Sequence, residues 1–120
     1  MQIKLLKSKL HMATVTGTKL HYHGSITIPR DLMDAADLRE HEAVLVANVA
    51  TGERGETYVI EGAAGSQQVE LNGAIARMAE PGDRVIVLSF AHMTENEADS
   101  FEPTIVLLGD ANTIDETLPK

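Results

Sequence analysis

Cysteine and tryptophan are both absent from this 120-residue chain, and only 3% of its residues are aromatic. The lack of cysteine excludes disulfides, thiol nucleophiles and thiolate metal sites. Hydrophobic residues still make up 43% of the chain, so the core has to be built from Val, Ile, Leu, Ala and Met. A chain of this length is predicted to form one domain over residues 1–120 and to bury about two-thirds of its unfolded surface.

Basic residues and long hydrophobic runs are scarce as well. Ten Lys and Arg stand against 18 Asp and Glu, which leaves a formal net charge of −8. This balance disfavours nucleic acid as a partner, because binding to phosphates requires a basic face. No stretch reaches the roughly 18 apolar residues of a membrane span, and the lysines near the N-terminus interrupt any signal-peptide pattern. We therefore expect a cytoplasmic protein that binds neither nucleic acid nor membranes.

Alternating and β-branched segments predict a mainly β protein with short helices. Strands are predicted over residues 12–18, 19–22, 25–28, 43–49, 56–61, 68–71, 84–90 and 103–108. Helical turns are predicted over residues 31–36, 73–78 and 95–100. Residues 109–120 are polar and are expected to form a flexible tail. Many short strands with little helix imply a small closed barrel, because closure removes exposed sheet edges.

The dipeptide Gly24-Ser25 lies between two predicted strands. In a strained Gly-Ser bond the serine hydroxyl can attack the preceding carbonyl and convert the amide into an ester. Elimination and hydrolysis would then leave Ser25 as an N-terminal pyruvoyl group, a ketone that forms Schiff bases and accepts electrons. A Gly-Ser pair by itself is more often an ordinary turn, so the dipeptide alone leaves both interpretations open.

Arg54 and Tyr58 stand four residues apart, directly after a predicted turn at residues 51–53. In a strand this spacing places both side chains on the same face. A guanidinium group matches the geometry of a carboxylate, and a phenol beside a cation can give a proton to a carbanion. The alternative is a solvated arginine and a packed tyrosine, which composition alone favours.

The segment Asn72-Gly73-Ala74 precedes a predicted helical turn. Its backbone N–H groups and its amide side chain are suited to binding an oxyanion. Because Asn-Gly is also common in ordinary turns, the alternative here is a plain connection between a strand and a helix.

His21 and His23 are two residues apart and share one face of an extended segment. Together with His11 they could seed a metal site, which would make the chain a small metal-binding β protein. No carboxylate cluster follows them, so we expect no metal site.

In this order and at this spacing, the motifs resemble the family of pyruvoyl-dependent aspartate 1-decarboxylases. The resemblance extends from the N-terminus to about Leu108. The segments that carry it are Lys7–His11, Leu20–Ile28, Leu32–Ala36, Asn48, Gly52–Arg54, Glu56–Tyr58, Leu71–Ala74 and Pro81–Asp83.

The resemblance implies a six-stranded double-psi β-barrel, assembled as a homotetramer with its sites between neighbouring subunits. The chain would cut itself between Gly24 and Ser25 into residues 1–24 and 25–120, with Thr57 polarising the Gly24 carbonyl. This cleavage would be spontaneous or would require a maturation factor. The pyruvoyl group made from Ser25 would be the cofactor, with no metal ion.

The activity implied by the resemblance is decarboxylation of L-aspartate to β-alanine and CO2 for pantothenate and coenzyme A biosynthesis. Ser25, as pyruvoyl, would hold the substrate amine as a Schiff base, and Tyr58 would protonate the carbanion. The residues implied in substrate binding are Lys9, Arg54, Thr57, Asn72, Gly73 and Ala74, with His11 and Tyr22 close by.

The chain departs from the family at Gly55, where a bulky apolar residue is usual, and at Ile75, which replaces a usual alanine. Pro29 and Asp37 are departures too. We expect these changes to affect substrate fit and rate rather than the class of reaction. The alternative function is a non-enzymatic double-psi barrel that serves as a binding or assembly module and keeps its Gly-Ser bond intact.

Overall fold

Nine β-strands and four short helical segments make up the computed structural model, which describes residues 1–120. The strands are β1 (Gln2–Thr14), β2 (Gly17–Lys19), β3 (Ser25–Pro29), β4 (Ala43–Asn48), β5 (Arg54–Gly62), β6 (Glu70–Asn72), β7 (Arg84–Thr94), β8 (Thr104–Leu108) and β9 (Ile114–Leu118). The helical segments are α1 (Arg30–Ala35), α2 (Glu95–Ser100) and two 3₁₀ segments, Gly73–Met78 and Asp110–Asn112. The predicted mainly β class with short helices is confirmed. With six residues at most, no helix has the length or the apolar stretch that a membrane crossing needs.

Seven of the nine strands pair into a closed ring of six. The order of hydrogen-bonded strands is β2-β6-β3-β5-β4-β7-β1-β8-β9. β1 continues into β2 through Val15 and Thr16, whose N–H groups donate to Asp83 O (2.9 Å) and Val69 O (2.8 Å). Counted as one long strand, β1 and β2 pair with β7 on one side and with β6 on the other, and this closes the ring. The six-stranded arrangement agrees with the prediction, and the double-psi type of barrel stays a prediction.

Aliphatic side chains fill the interior, as the scarcity of aromatic residues predicts. Twenty buried hydrophobic residues form one cluster. Burying one Val, Leu or Ile side chain stabilises the fold by about 1.5–3 kcal/mol relative to leaving it exposed. β3, β5 and β6 contribute the fully buried Ile26, Val59 and Leu71. The core therefore anchors the three strands that carry the candidate site.

The predicted strand over residues 19–22 is wrong. β2 ends at Lys19, and residues 20–24 form exposed bends before β3 begins at Ser25. The reason lies in β6, whose last residue, Asn72, pairs with Lys19 on one side and with Ser25 on the other. Beyond Lys19 the chain has no partner strand left, so it crosses the end of β6 to reach β3.

The expected flexible tail over residues 109–120 is also wrong. β9 pairs antiparallel with β8, and Asn112 is only 2% exposed. The Asn112 amide nitrogen donates to Thr14 O (3.0 Å) and Gln67 O (2.9 Å), and its oxygen accepts from the Thr14 N–H (2.7 Å). A single buried amide leaves no trace in a hydropathy pattern, which explains why the polar composition was misleading.

Candidate active site

Ser25 is the first residue of β3, which lies between β5 and β6 in the sheet. In the antiparallel pairing with β6 it lies opposite Asn72. In the parallel pairing with β5 the first matched residues are Ile26 and Val59. Continuing this register back by one residue places Ser25 level with Tyr58. The topology thus brings together residues from three separate sequence motifs.

The Ser25 side chain is almost completely buried and is held by its neighbours. Ser25 is 1% exposed. Its hydroxyl oxygen accepts a hydrogen bond from Asn72 Nδ2 (3.0 Å), and the hydroxyl donates to the His23 carbonyl (3.3 Å). The same Asn72 nitrogen donates to Thr27 Oγ1 (3.0 Å), whereas Asn72 Oδ1 is buried without a hydrogen-bond partner. The hydroxyl is therefore kept out of solvent, directly beside the Gly24-Ser25 bond.

Gly73 packs its backbone against the segment that contains the predicted cleavage site. Its φ of +75° is a conformation that glycine adopts readily and other residues rarely do. A Cβ atom at this position would lie 2.6 Å from Gly24 Cα, 2.7 Å from Gly24 N and 3.0 Å from Tyr22 O. Gly24 itself is exposed, and a Cβ atom there would meet nothing within 4 Å. The chain before Ser25 is therefore supported on one side and open on the other.

Arg54 and Tyr58 lie on the exposed face of β5, in agreement with their spacing. β5 begins at Arg54, directly after a turn in which Gly52 has φ +77°. The Arg54 guanidinium forms no ion pair and makes one long hydrogen bond, from Nε to Gly52 O (3.5 Å). Tyr58 is 38% exposed. A cation free to bind an anion and an accessible phenol on one strand face suit a carboxylate substrate that has to be protonated.

Thr57 lies on the opposite face of β5 from Tyr58 and is half-buried. The parallel pairing of β3 with β5 begins at Ile26 and Val59, and Gly24 lies in the bend before β3. No hydrogen bond joins Thr57 to Gly24 in this structure. The polarising contact that the resemblance implies therefore stays a prediction.

Lys9 and His11 lie outside the three strands that carry this group. Both lie on β1, which pairs with β7 and β8. Two strands, β7 and β4, separate β1 from Arg54 on β5. Burial lowers the pKa of His11, and the positive charges of Lys9 and Arg84 lower it further. The two predicted substrate cations, Lys9 and Arg54, thus lie on strands that do not pair with each other.

Tyr22 precedes the candidate cleavage site on the exposed bend. Its ring packs edge-on against His23, with centroids 5.6 Å apart, and the Lys19 ammonium lies 5.7 Å from its centroid. The structure contains no group of three or more histidine, aspartate or glutamate side chains placed to hold a metal ion. His11, His21 and His23 are accordingly not brought together.

Sequence reasoning missed a contact between the departures at positions 55 and 75. A Cβ atom on Gly55 would lie 3.6 Å from Ile75 Cδ1 and 3.8 Å from Met78 Sδ. Ile75 thus occupies space that a larger residue at position 55 would need. A cavity of about 490 Å³ adjoins this contact, and it is lined by Glu53, Gly55, Glu56, Ala74, Ile75, Arg77 and Met78. No local sequence signal connects two positions that are 20 residues apart.

Comparison with known proteins points to one family. The family model described as aspartate decarboxylase matches residues 1–115. The aspartate 1-decarboxylase of Ralstonia nicotianae is 51% identical over 97% of each chain, and that of Ralstonia pickettii is 50% identical over 95% of each. The aspartate 1-decarboxylase of Chlorobaculum parvum is 48% identical over 93% of this chain and 88% of its own. Since these matches cover nearly the whole length, the chain belongs to the aspartate decarboxylase family and is a decarboxylase.

Proposed function

We propose that this enzyme decarboxylates L-aspartate to β-alanine and CO2 with a pyruvoyl group made from its own Ser25. The observation that carries the proposal is the setting of the Gly24-Ser25 bond. Ser25 is buried and hydrogen-bonded to Asn72, and the backbone of Gly73 lies directly against Gly24. The β-alanine would supply pantothenate and coenzyme A biosynthesis in the cytoplasm.

In the proposed cleavage the Ser25 hydroxyl oxygen bonds to the Gly24 carbonyl carbon, and the amide C–N bond breaks to give an ester. Elimination then removes the Cα proton of residue 25 and breaks its Cβ–Oγ bond, which releases Gly24 as a carboxylate and leaves an enamine. A proton returns to Cβ to give an imine, and addition of water to the nitrogen-bearing carbon expels ammonia and leaves the ketone. Asn72 Nδ2 supports the first step as a hydrogen-bond donor to the attacking oxygen (3.0 Å). Thr57 on β5 is the proposed donor to the Gly24 carbonyl oxygen.

In the proposed decarboxylation, the residues around position 25 have separate roles. A pyruvoyl group there would supply a Schiff-base carbonyl and an electron sink for the bond that releases CO2. Arg54 binds a substrate carboxylate through its unpaired guanidinium. Tyr58 gives a proton to the carbon that loses CO2. Residues 72–74 line the pocket beside the reacting group.

We also propose that a neighbouring subunit of a homotetramer completes the site. Lys9 and His11 lie on β1, which is separated from Arg54 on β5 by the two strands β7 and β4. A second copy with its β1 near the exposed face of β5 would add Lys9 to the site. Aspartate carries two carboxylates, and a second cation would pair with the one that Arg54 leaves free.

An intact mass measured under denaturing conditions tests the proposal. Two chains, residues 1–24 and 25–120, are expected, and the longer one is lighter than a serine-ended chain by one ammonia. Ser25→Ala should give a single chain and release no CO2 from aspartate, because both reactions need the serine oxygen. A single unmodified chain that converts aspartate would contradict the mechanism. A chain that stays uncleaved and inactive even after incubation with a cell extract would favour the binding module instead.

A further inference from the structure

The ring of His41 lies against the ring of Tyr58. The ring centroids are 6.3 Å apart and the planes are inclined by 59°, which is within the range of favourable aromatic pairs. Tyr58 is 38% exposed, and its phenol oxygen forms no hydrogen bond within the chain. The contact with His41 therefore restricts a tyrosine ring that no hydrogen bond holds.

The backbone around His41 has an unusual conformation. His41 has φ +74°, a left-handed geometry that is uncommon for residues other than glycine, although histidine adopts it more often than most. Its N–H donates to Val59 O (2.7 Å), and the Val59 N–H donates to Glu42 O (3.0 Å). These two hydrogen bonds join His41 and Glu42 to Val59, the residue that directly follows Tyr58.

The Glu42 carboxylate anchors the same loop to two further strands. It accepts hydrogen bonds from the Arg39 N–H (2.9 Å), from Lys7 Nζ on β1 (3.2 Å) and from the buried hydroxyl of Ser89 on β7. Lys7 Nζ also lies 2.9 Å from the second carboxylate oxygen, and both side chains are 19% exposed. Strained backbone persists where its surroundings over-determine it, and this network does so for His41.

We propose that His41 is a positioning residue for Tyr58, which holds the phenol ring at the angle needed to protonate the substrate carbon. The inference rests on the proposed function, in which Tyr58 is the proton donor. It explains why an exposed histidine is kept in a strained conformation by bonds to β5 and, through Glu42, to β1 and β7.

Fluorine NMR tests the contact, because Tyr22 and Tyr58 are the only two tyrosines of the chain. Labelling with 3-fluorotyrosine gives two resonances, which Tyr22→Phe assigns. His41→Asn removes the ring and introduces a residue that tolerates positive φ. We expect it to shift the Tyr58 resonance and to leave that of Tyr22 in place. His23→Asn is the matched control, since the His23 ring contacts Tyr22, and it should shift the Tyr22 resonance alone.

Steady-state kinetics with aspartate tests the role of the contact. We expect His41→Asn to lower kcat about tenfold and to change KM less than about twofold, because a misdirected proton donor acts after binding. The thermal unfolding midpoint of the variant shows that the fold is kept. An unchanged Tyr58 resonance, an unchanged kcat or an effect on KM alone would overturn the positioning role.

Failure of the proposed function would look different. If the unsubstituted protein releases no CO2 from aspartate, or if Tyr58→Phe turns over normally, the proposed chemistry fails and the positioning role fails with it. If the enzyme is active and Tyr58→Phe is not, normal kinetics of His41→Asn overturn the positioning role alone.

Discussion

At the scale of single residues, Asn72 connects both sides of the candidate cleavage site. Its backbone pairs with Lys19 and with Ser25, and its amide nitrogen donates to Ser25 and Thr27. Its amide oxygen is buried without a partner, which costs about 1–3 kcal/mol. A cost of this kind is expected where a residue is selected for reactivity rather than for stability.

Gly73→Ala should block cleavage after Gly24. The new methyl group would lie 2.6 Å from Gly24 Cα, so the segment before Ser25 has to move. A displacement of about 1 Å lowers a reaction rate about a hundredfold, and we expect at least that loss in the appearance of the two chains by mass spectrometry.

Gly52→Ala is the matched control for this substitution. Gly52 has a similar φ of +77°, but a Cβ atom there would meet nothing within 4 Å. Both variants should lose about 1–2 kcal/mol from left-handed strain, and Gly52→Ala should still cleave. Equal cleavage in the two variants would show that the contact with Gly24 has no role.

The Glu42 carboxyl should make the stability of the protein depend on pH. Burial opposes its ionisation, but hydrogen bonds from Ser89, from the Arg39 backbone and from Lys7, together with the Lys7 charge, outweigh burial and hold its pKa below the usual 4.5. A pKa that is lower in the folded state adds stability above the unfolded value, and this stability is lost as the pH falls through the folded pKa.

Glu42→Gln tests this expectation through urea unfolding at several pH values. The variant should be less stable than the natural protein above about pH 4.5, and the difference should shrink as the pH falls further. Glu102→Gln changes an exposed residue without an ion pair and should show no such trend. A difference for Glu42→Gln that stays constant down to acid pH would contradict the assignment.

At the scale of elements, strands with a continuous apolar pattern were predicted well and those anchored by polar contacts were not. The cores of β4, β5 and β7 follow from runs of Val, Ile and Leu. β1 begins at Gln2, ten residues before the predicted start, because pairing with β7 sustains it from Gln2 onward. β9 was missed because its attachment depends on Asn112.

Asn112→Gly should loosen the C-terminal strand. Glycine keeps the φ of +56° but removes three hydrogen bonds to Thr14 and Gln67, so we expect a loss of about 2 kcal/mol and faster proteolysis within residues 109–120. Ala111→Gly relieves a φ of +54° without removing any side-chain hydrogen bond, and it should be neutral or stabilising. Equal protease sensitivity of the two variants would show that the Asn112 hydrogen bonds do not hold the C-terminal strand in place.

At the scale of the whole molecule, the predicted substrate cations lie on two strands that do not pair with each other. β4 and β7 lie between Arg54 and Lys9. If neighbouring subunits share the site, Lys9→Ala and Arg54→Ala should each be inactive alone and should recover part of the activity when co-expressed. Mixed tetramers then contain interfaces with both natural residues. CO2 release from aspartate measures the recovery. A mixture without activity would contradict the shared site: both residues would then come from the same subunit, or one of them would have no part in the site.

The sequence by itself determined the aliphatic core, the mainly β class, the turn before Arg54 and the motifs by which the family is identified, because each depends on residues close together in the chain. Only the tertiary structure decided that Ser25 is buried beside Asn72, that Gly73 lies against Gly24, and that His41 packs on Tyr58. These contacts join positions 17 to 49 residues apart, and strand register sets them. Because register follows from the pairing of whole strands, no local pattern could reveal it.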